Sequence, residues 1–186
     1  MTAKQLAEQI DNYVNRVLKR GYPFKFKSLE EFNEFSTELK EGLAKIGVSI
    51  DDVRIQGSAL RSKDAKDVDL AAIITDADFN KFLVNRFSNR ITKNEVKINL
   101  AGKTEQELID IANDYEANPA AYNNQCSSFS KAMLERKFST YSNDKIIPDG
   151  KKLYKNMQAN YPDLDIENIS IQTPSSSFNL KPFMKL

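Results

Sequence analysis

The stretch from Val53 to Thr75 constrains this chain more than any other. It reads Val-Arg-Ile-Gln-Gly-Ser-Ala-Leu-Arg-Ser-Lys-Asp-Ala-Lys-Asp-Val-Asp-Leu-Ala-Ala-Ile-Ile-Thr. Val53 to Gln56 alternates apolar and polar residues, the pattern of a strand. Gly57-Ser58 interrupts it, and a polar loop carrying Arg61, Lys63 and Lys66 follows. Asp67-Val68-Asp69 then runs into Leu70-Ala71-Ala72-Ile73-Ile74. That second run is nearly continuous in apolar residues, as a central strand covered on both sides requires.

Side chains alternate faces along a strand, so Asp67 and Asp69 point one way while Val68 and Leu70 point the other. Two carboxylates so placed make a hard-oxygen site of the kind Mg²⁺ takes. Gly57 allows close backbone approach, and Ser58 with its backbone N–H can meet a phosphate. Arg61 and Lys66 are basic residues of the same loop. Arg61 suits a phosphate as charge partner. The competing reading of Arg61, Lys63 and Lys66 is a solvated loop.

The chain has 186 residues, enough for one domain, or a core with a helical extension. Its net charge of +1 makes no case for a broad nucleic-acid-binding surface and leaves room for a local patch. No apolar run approaches a membrane span, and no signal-peptide h-region opens the chain. The single cysteine, Cys126, excludes an internal disulfide. Histidine is absent, which removes Ser-His-Asp chemistry and histidine-ligated zinc. Chemistry here must rest on carboxylates, Lys, Arg, Tyr, Ser or a hard metal.

Helical periodicity is expected over residues 3–19, on Leu6, Ile10, Tyr13, Val14, Val17 and Leu18. Ser28-Leu29-Glu30-Glu31 reads as a capping box opening a helix with Phe32, Phe35, Leu39, Leu43 and Ile46, closed by Gly47. Further helices are expected around Asp78 to Ile91, after the capping box Thr104–Glu107, around Ser128 to Phe138, and over Asp149 to Asn160. Val96 to Leu100 is a third strand or an extended link, and Lys145 to Pro148 a short extended piece. Asp165 to Gln172 reads as a late strand, and Thr173 to Leu186 as an irregular tail pinned by Phe178, Phe183 and Met184. Lys131, Arg136 and Lys137 read as a solvated helix face, and Tyr122 and Tyr141 as packing residues that could also stack on a base. The fold class is therefore α+β. A small mixed sheet carries Gly-Ser and Asp-x-Asp and packs against helices, with residues 1–47 as a helical extension of a 48–186 core in a single 1–186 domain.

This arrangement resembles the nucleotidyltransferase superfamily, the fold shared by DNA polymerase beta, CCA-adding enzymes and aminoglycoside nucleotidyltransferases. Gly57-Ser58 and Asp67-Val68-Asp69 match the family's Gly-Ser and Asp-x-Asp, and Arg61 matches a basic residue often found after the Gly-Ser. The resemblance implies an Mg²⁺-dependent enzyme that moves an NMP from an NTP such as ATP to a hydroxyl acceptor. Asp67 and Asp69 would hold one or two Mg²⁺ ions. Gly57, Ser58, Arg61 and Lys66 would serve the nucleotide phosphates.

The family also supplies a third acidic residue from a later strand. In Asp165-Ile166-Glu167-Asn168-Ile169-Ser170-Ile171, a core-facing Ile169 and Ile171 put Asn168 and Ser170 on the site face. Glu167 and Asp165 share the phase of the isoleucines, so either would need a twist or bulge to reach the metal. Glu167 is the first choice among carboxylates, being longer and further into the strand. Asn168 is the residue that phase selects. An Asn offers a carbonyl but no charge and no base, and would leave a weakened or inactive member.

Arg54 to Ser62, Ala65 to Ala71 and the terminal Ser176 to Leu186 are similar to nucleotidyltransferase-like domains at the C-terminal ends of bacterial polymorphic or contact-dependent toxins. That similarity implies a bacterial toxin module acting in the cytoplasm, delivered from another cell and neutralised by an immunity protein, with tRNA, other RNA or a protein hydroxyl as acceptor. Two other readings stay open. One is a catalytically weak binding protein of antitoxin type, and the other a small-molecule (antibiotic) nucleotidyltransferase.

Overall fold

A computed structural model of the chain describes residues 2–140, 148–179 and 181–186. Of the expected extended piece at 145–148, residues 145–147 lie outside the described residues, as does Tyr141, while Pro148 opens a helix. The architecture is α+β, a five-stranded mixed sheet with helices. No helix among the described residues is long and apolar enough to cross a membrane.

Local signals set most helix starts. The first helix runs as α1 (Ala3–Asp11), a π-helical stretch (Asn12–Val17) and α2 (Leu18–Arg20), and ends at Gly21 with φ +83°. Glycine takes that left-handed conformation without steric cost. Ser28 accepts a hydrogen bond from the Glu31 N–H at 3.1 Å and caps α3 (Leu29–Lys45). The expected box is half formed, because Glu31 turns its carboxylate to the Lys27 N–H at 2.6 Å. Thr75 caps α4 (Asp76–Phe87), so this helix starts and stops earlier than its apolar pattern suggests. Thr104 and Glu107 form the full reciprocal box that opens α5 (Glu105–Ala117).

The strands are β1 (Val53–Gln56), β2 (Val68–Ile73), β5 (Lys137–Ser139), β6 (Ile166–Gln172) and β7 (Phe183–Lys185). Their order is β5-β6-β2-β1-β7. β2 is central, antiparallel to β1 and parallel to β6. Its continuous apolar run thus has partners on both edges. β3 (Thr92–Lys93) and β4 (Val96–Lys97) form a separate hairpin, turned by Asn94 and Glu95 at φ 48° and 66°. The sequence Val96 to Leu100 therefore contributes no strand to the main sheet.

Two elements depart from the sequence pattern. Helix α6 (Asn124–Glu135) starts earlier than expected and stops at Arg136, whose φ of 51° turns the chain. Lys137 consequently lies on β5, not on a helix face with Lys131. Arg136 itself donates to Asn80 at 3.0 Å and pairs with Glu105. The tail also regains order: β7 pairs with β1, and Phe178 and Asn179 bond to side chains of β1. Phe178 accepts from Gln56 at 2.9 Å and Asn179 accepts from Arg54 at 2.9 Å. Apolar residues at a free strand edge find partners that local periodicity does not show.

The core lies on one face of the sheet. Ile55, Leu70, Ala72, Ile169 and Ile171 point there, against Phe35, Leu39 and Leu43 of α3, Phe129 of α6 and Met157 of α7 (Pro148–Asn160). Each such large side chain, once fully buried, is worth about 1.5–3 kcal/mol. The expected apolar face of the first helix divides. Val17 is buried, whereas Leu6, Ile10, Val14 and Leu18 are exposed.

Candidate metal centre

The site forms where β2 and β6 begin. Asp67 lies just before β2 and Asp69 is its second residue. Asp69 stands opposite Gln56 of β1 on one side and Asn168 of β6 on the other. The parallel register is regular from Asp69 onward but shifts between Val68 and Asp69. Val68 pairs with Ile166, while Asp69 pairs with Asn168. One residue of β6 is therefore extra, which is a β-bulge.

That bulge settles the phase of the third carboxylate. Ile166 and Ile169 are both fully buried, and the two residues between them turn outward. Glu167 reaches Asp67 and Asp69, and carboxylate oxygens of the three lie within 4.8 Å of one another. Asn168, the residue chosen by simple alternation, instead accepts a hydrogen bond from Ser139 Oγ at 2.8 Å. Its carbonyl oxygen is thereby engaged on the β5 side. Asp165 takes a left-handed turn with φ 49° ahead of the strand and stays outside the cluster.

No cationic side chain among the described residues neutralises the cluster, as one does for several acids elsewhere. Asp52, Asp114, Glu105, Glu107 and Asp163 each pair with a Lys or Arg. Among the described residues no Lys or Arg forms an ion pair with Asp67, Asp69 or Glu167. Burial, then the charge of Asp67, pushes the Asp69 carboxyl above its ordinary range, and Lys137 only partly offsets this. Glu167 is also raised, first by its hydrogen bond with Asp67 and then by the surrounding negative charge. Three carboxylates that repel one another in this way would suit a hard cation.

Gly57 is fitted to this cluster. Its φ is +82°, and a Cβ added there would lie 2.3 Å from Asp69 Oδ2. The backbone thus approaches the carboxylate too closely to leave room for a side chain. Gly57→Ala meets both a strained φ and a clash, at about 1–3 kcal/mol for the backbone conformation alone. Urea unfolding of this variant is expected to show that loss, and an unchanged midpoint would remove the steric role.

The other expected residues surround the same turn. Gly57 to Leu60 forms a 3₁₀ turn, and the Ser58 carbonyl accepts from the Arg61 and Ser62 N–H groups at 2.9 Å. The Ser58 side chain makes no hydrogen bond among the described residues. Arg61 folds back, donating from Nε to the Gly57 carbonyl at 3.3 Å. Its own carbonyl accepts from Asn12 at 3.0 Å, which ties the first helix to this loop. Lys66 is exposed, and its carbonyl takes the Lys25 ammonium. Tyr122 is engaged elsewhere, donating to Asp114 and packing edge-on against Tyr115.

Lys137 is the neighbour that sequence reasoning missed. Its charge acts on Asp69, and its ammonium lies 3.9 Å from the centre of the Phe178 ring. Lys137-Phe138-Ser139 alternates polar, apolar and polar, a strand signal hidden behind the helical pattern of α6. Compared with known proteins, the chain matches no family model, no curated protein and no solved structure.

Proposed function

We propose that this protein is a divalent-cation-dependent nucleotidyltransferase, moving an NMP from an NTP to a hydroxyl acceptor. The observation that carries the reading is the convergence of Asp67, Asp69 and Glu167 beside Gly57-Ser58 with no cationic side chain paired to them. The three carboxylates fit Mg²⁺ in donor type and in charge. When bound, such an ion supplies Lewis-acid stabilisation of the reacting phosphate and a lower pKa for the attacking hydroxyl. The chain's own part is positional. Asp69 is held between Gln56 and Asn168, Glu167 is aimed by the bulge, and Gly57 keeps the backbone close to Asp69. Ser58 presents a hydroxyl, and Arg61 a guanidinium, beside the turn that would receive the phosphates.

The bacterial toxin setting, with RNA or protein as acceptor and an immunity protein as partner, rests on the sequence resemblance alone. The test is direct. Each α-labelled NTP is incubated with the protein, Mg²⁺ and a mixture of tRNA and cell protein, with and without EDTA. Label is expected in one acceptor fraction, with release of pyrophosphate, only where Mg²⁺ is free. Transfer that persists in EDTA would overturn the metal centre. Failure of all four NTPs to bind or react would favour a catalytically silent binding protein.

A further inference from the structure

A polar cavity lies on the β5 side of the sheet, across β6 and β2 from the strand that leads to Gly57. It measures about 220 Å³ and lies between α6 and β5. Lys131, Lys137, Ser127, Ser128, Ser139 and Asn168 line it, and Glu135 stands at its wall. Its nearest link to the carboxylates is Asn168, which follows Glu167 in the chain and is the cross-strand neighbour of Asp69. Lys131 is exposed and forms no ion pair among the described residues. Lys137 is half-buried, and its charge acts on Asp69.

The chemistry of these walls selects a ligand. Two ammonium groups and several hydroxyls suit a phosphate with its neighbouring sugar hydroxyls. They do not suit a base, because no aromatic face is offered. Phe138 is 1% exposed, and the Phe178 ring is already covered by Lys137. They also repel a polycationic acceptor such as an aminoglycoside. A neutral protein hydroxyl gains nothing from them.

We infer that this cavity seats a backbone phosphate of a single-stranded nucleic-acid acceptor, whose terminal hydroxyl is thereby aimed at the carboxylate centre. The inference rests on the nucleotidyltransferase reading and narrows its acceptor. The NTP phosphates lie on the Gly57-Ser58 side of the carboxylates, and the acceptor phosphate lies on the β5 side. Positive charge on the β5 side also steers a polyanion past the repelling carboxylates.

The test measures the two ligands separately. A fluorescent single-stranded oligoribonucleotide with a free 3′-hydroxyl is titrated by anisotropy. The α,β-methylene analogues of the four NTPs are titrated with Mg²⁺ by calorimetry. Lys131→Glu is expected to weaken the oligonucleotide about tenfold and Lys137→Gln about fivefold, with analogue binding changed less than about twofold. The slope of log affinity against log salt should shrink by about 0.7 for each phosphate that the variant no longer neutralises. Lys131 is on the surface, so its variant keeps the test readable even if Lys137→Gln unfolds. Unchanged oligonucleotide binding in Lys131→Glu overturns the inference. So does equal weakening of the analogue, which would give the cavity to the NTP, or equal competition by a polyglutamate peptide, which would give it to an acidic protein. Wild-type protein that binds no analogue sinks the nucleotidyltransferase reading instead, whatever the lysine variants do to the oligonucleotide.

Discussion

Asp67→Ala/Asp69→Ala is expected to lower nucleotidyl transfer by on the order of 10³-fold or more, about 4 kcal/mol of transition-state stabilisation. Glu167→Gln should cost less, about 10²-fold, because the two aspartates still hold most of the charge. The order matters as much as the size. Glu167 reaches the cluster only through the β6 bulge, whereas Asp69 sits on the central strand β2 and Asp67 just before it. The measurement is single-turnover transfer of labelled NMP at saturating Mg²⁺, with far-ultraviolet circular dichroism showing an intact fold. Asn168→Ala supplies the contrast. It breaks the bond to Ser139 but removes no charge from the cluster, so its loss should stay well below that of Glu167→Gln. Equal losses at Glu167 and Asn168 would return the third ligand to Asn168. Full activity in the double aspartate variant would end the assignment of the centre.

The contrast between those two residues also shows what the sequence can reveal. Asp67 and Asp69 are legible because a strand's two-residue period, carried back one residue from β2, puts them on one face. Gly57 is legible because only a left-handed backbone and a close approach call for glycine there. Glu167 is ambiguous because it sits where the two-residue period fails. Ile166 and Ile169 are three residues apart and both buried, while Ile169 and Ile171 are two apart. That change of spacing is the mark a bulge leaves in a sequence. Lys137 and β7 escape a sequence reading for another reason. Arg136 breaks α6 by its own left-handed turn, and β7 gains its order from pairing with β1, more than a hundred residues earlier in the chain. Non-local pairing leaves little trace in local periodicity.

Metal should also stabilise the fold, and Asp69→Asn should reveal how. In the folded chain Asp69 has a raised pKa, through burial first and Asp67 second. A raised carboxylate pKa favours folding below the unfolded value, near 3.9, and that favour is lost as pH rises through the folded value. Without metal, wild-type protein at neutral pH therefore carries repulsion that Asp69→Asn relieves. In EDTA the variant is expected to be the more stable near pH 7, with the gap closing as pH falls towards 4. Mg²⁺ should invert the comparison. A cation that binds only the folded carboxylates adds about 2.7 kcal/mol at a hundred times its Kd. For a chain of this size that is a rise in Tm of about 5–10 °C. Asp69→Asn should gain little, having lost a ligand and a charge from the cluster. Melts of both proteins from pH 4 to 7.5, in EDTA and in Mg²⁺, measure all four arms. A wild-type Tm that ignores Mg²⁺ while the EDTA gap still follows pH would separate the two claims. The repulsion would then be real, and the carboxylates would need another cation or none.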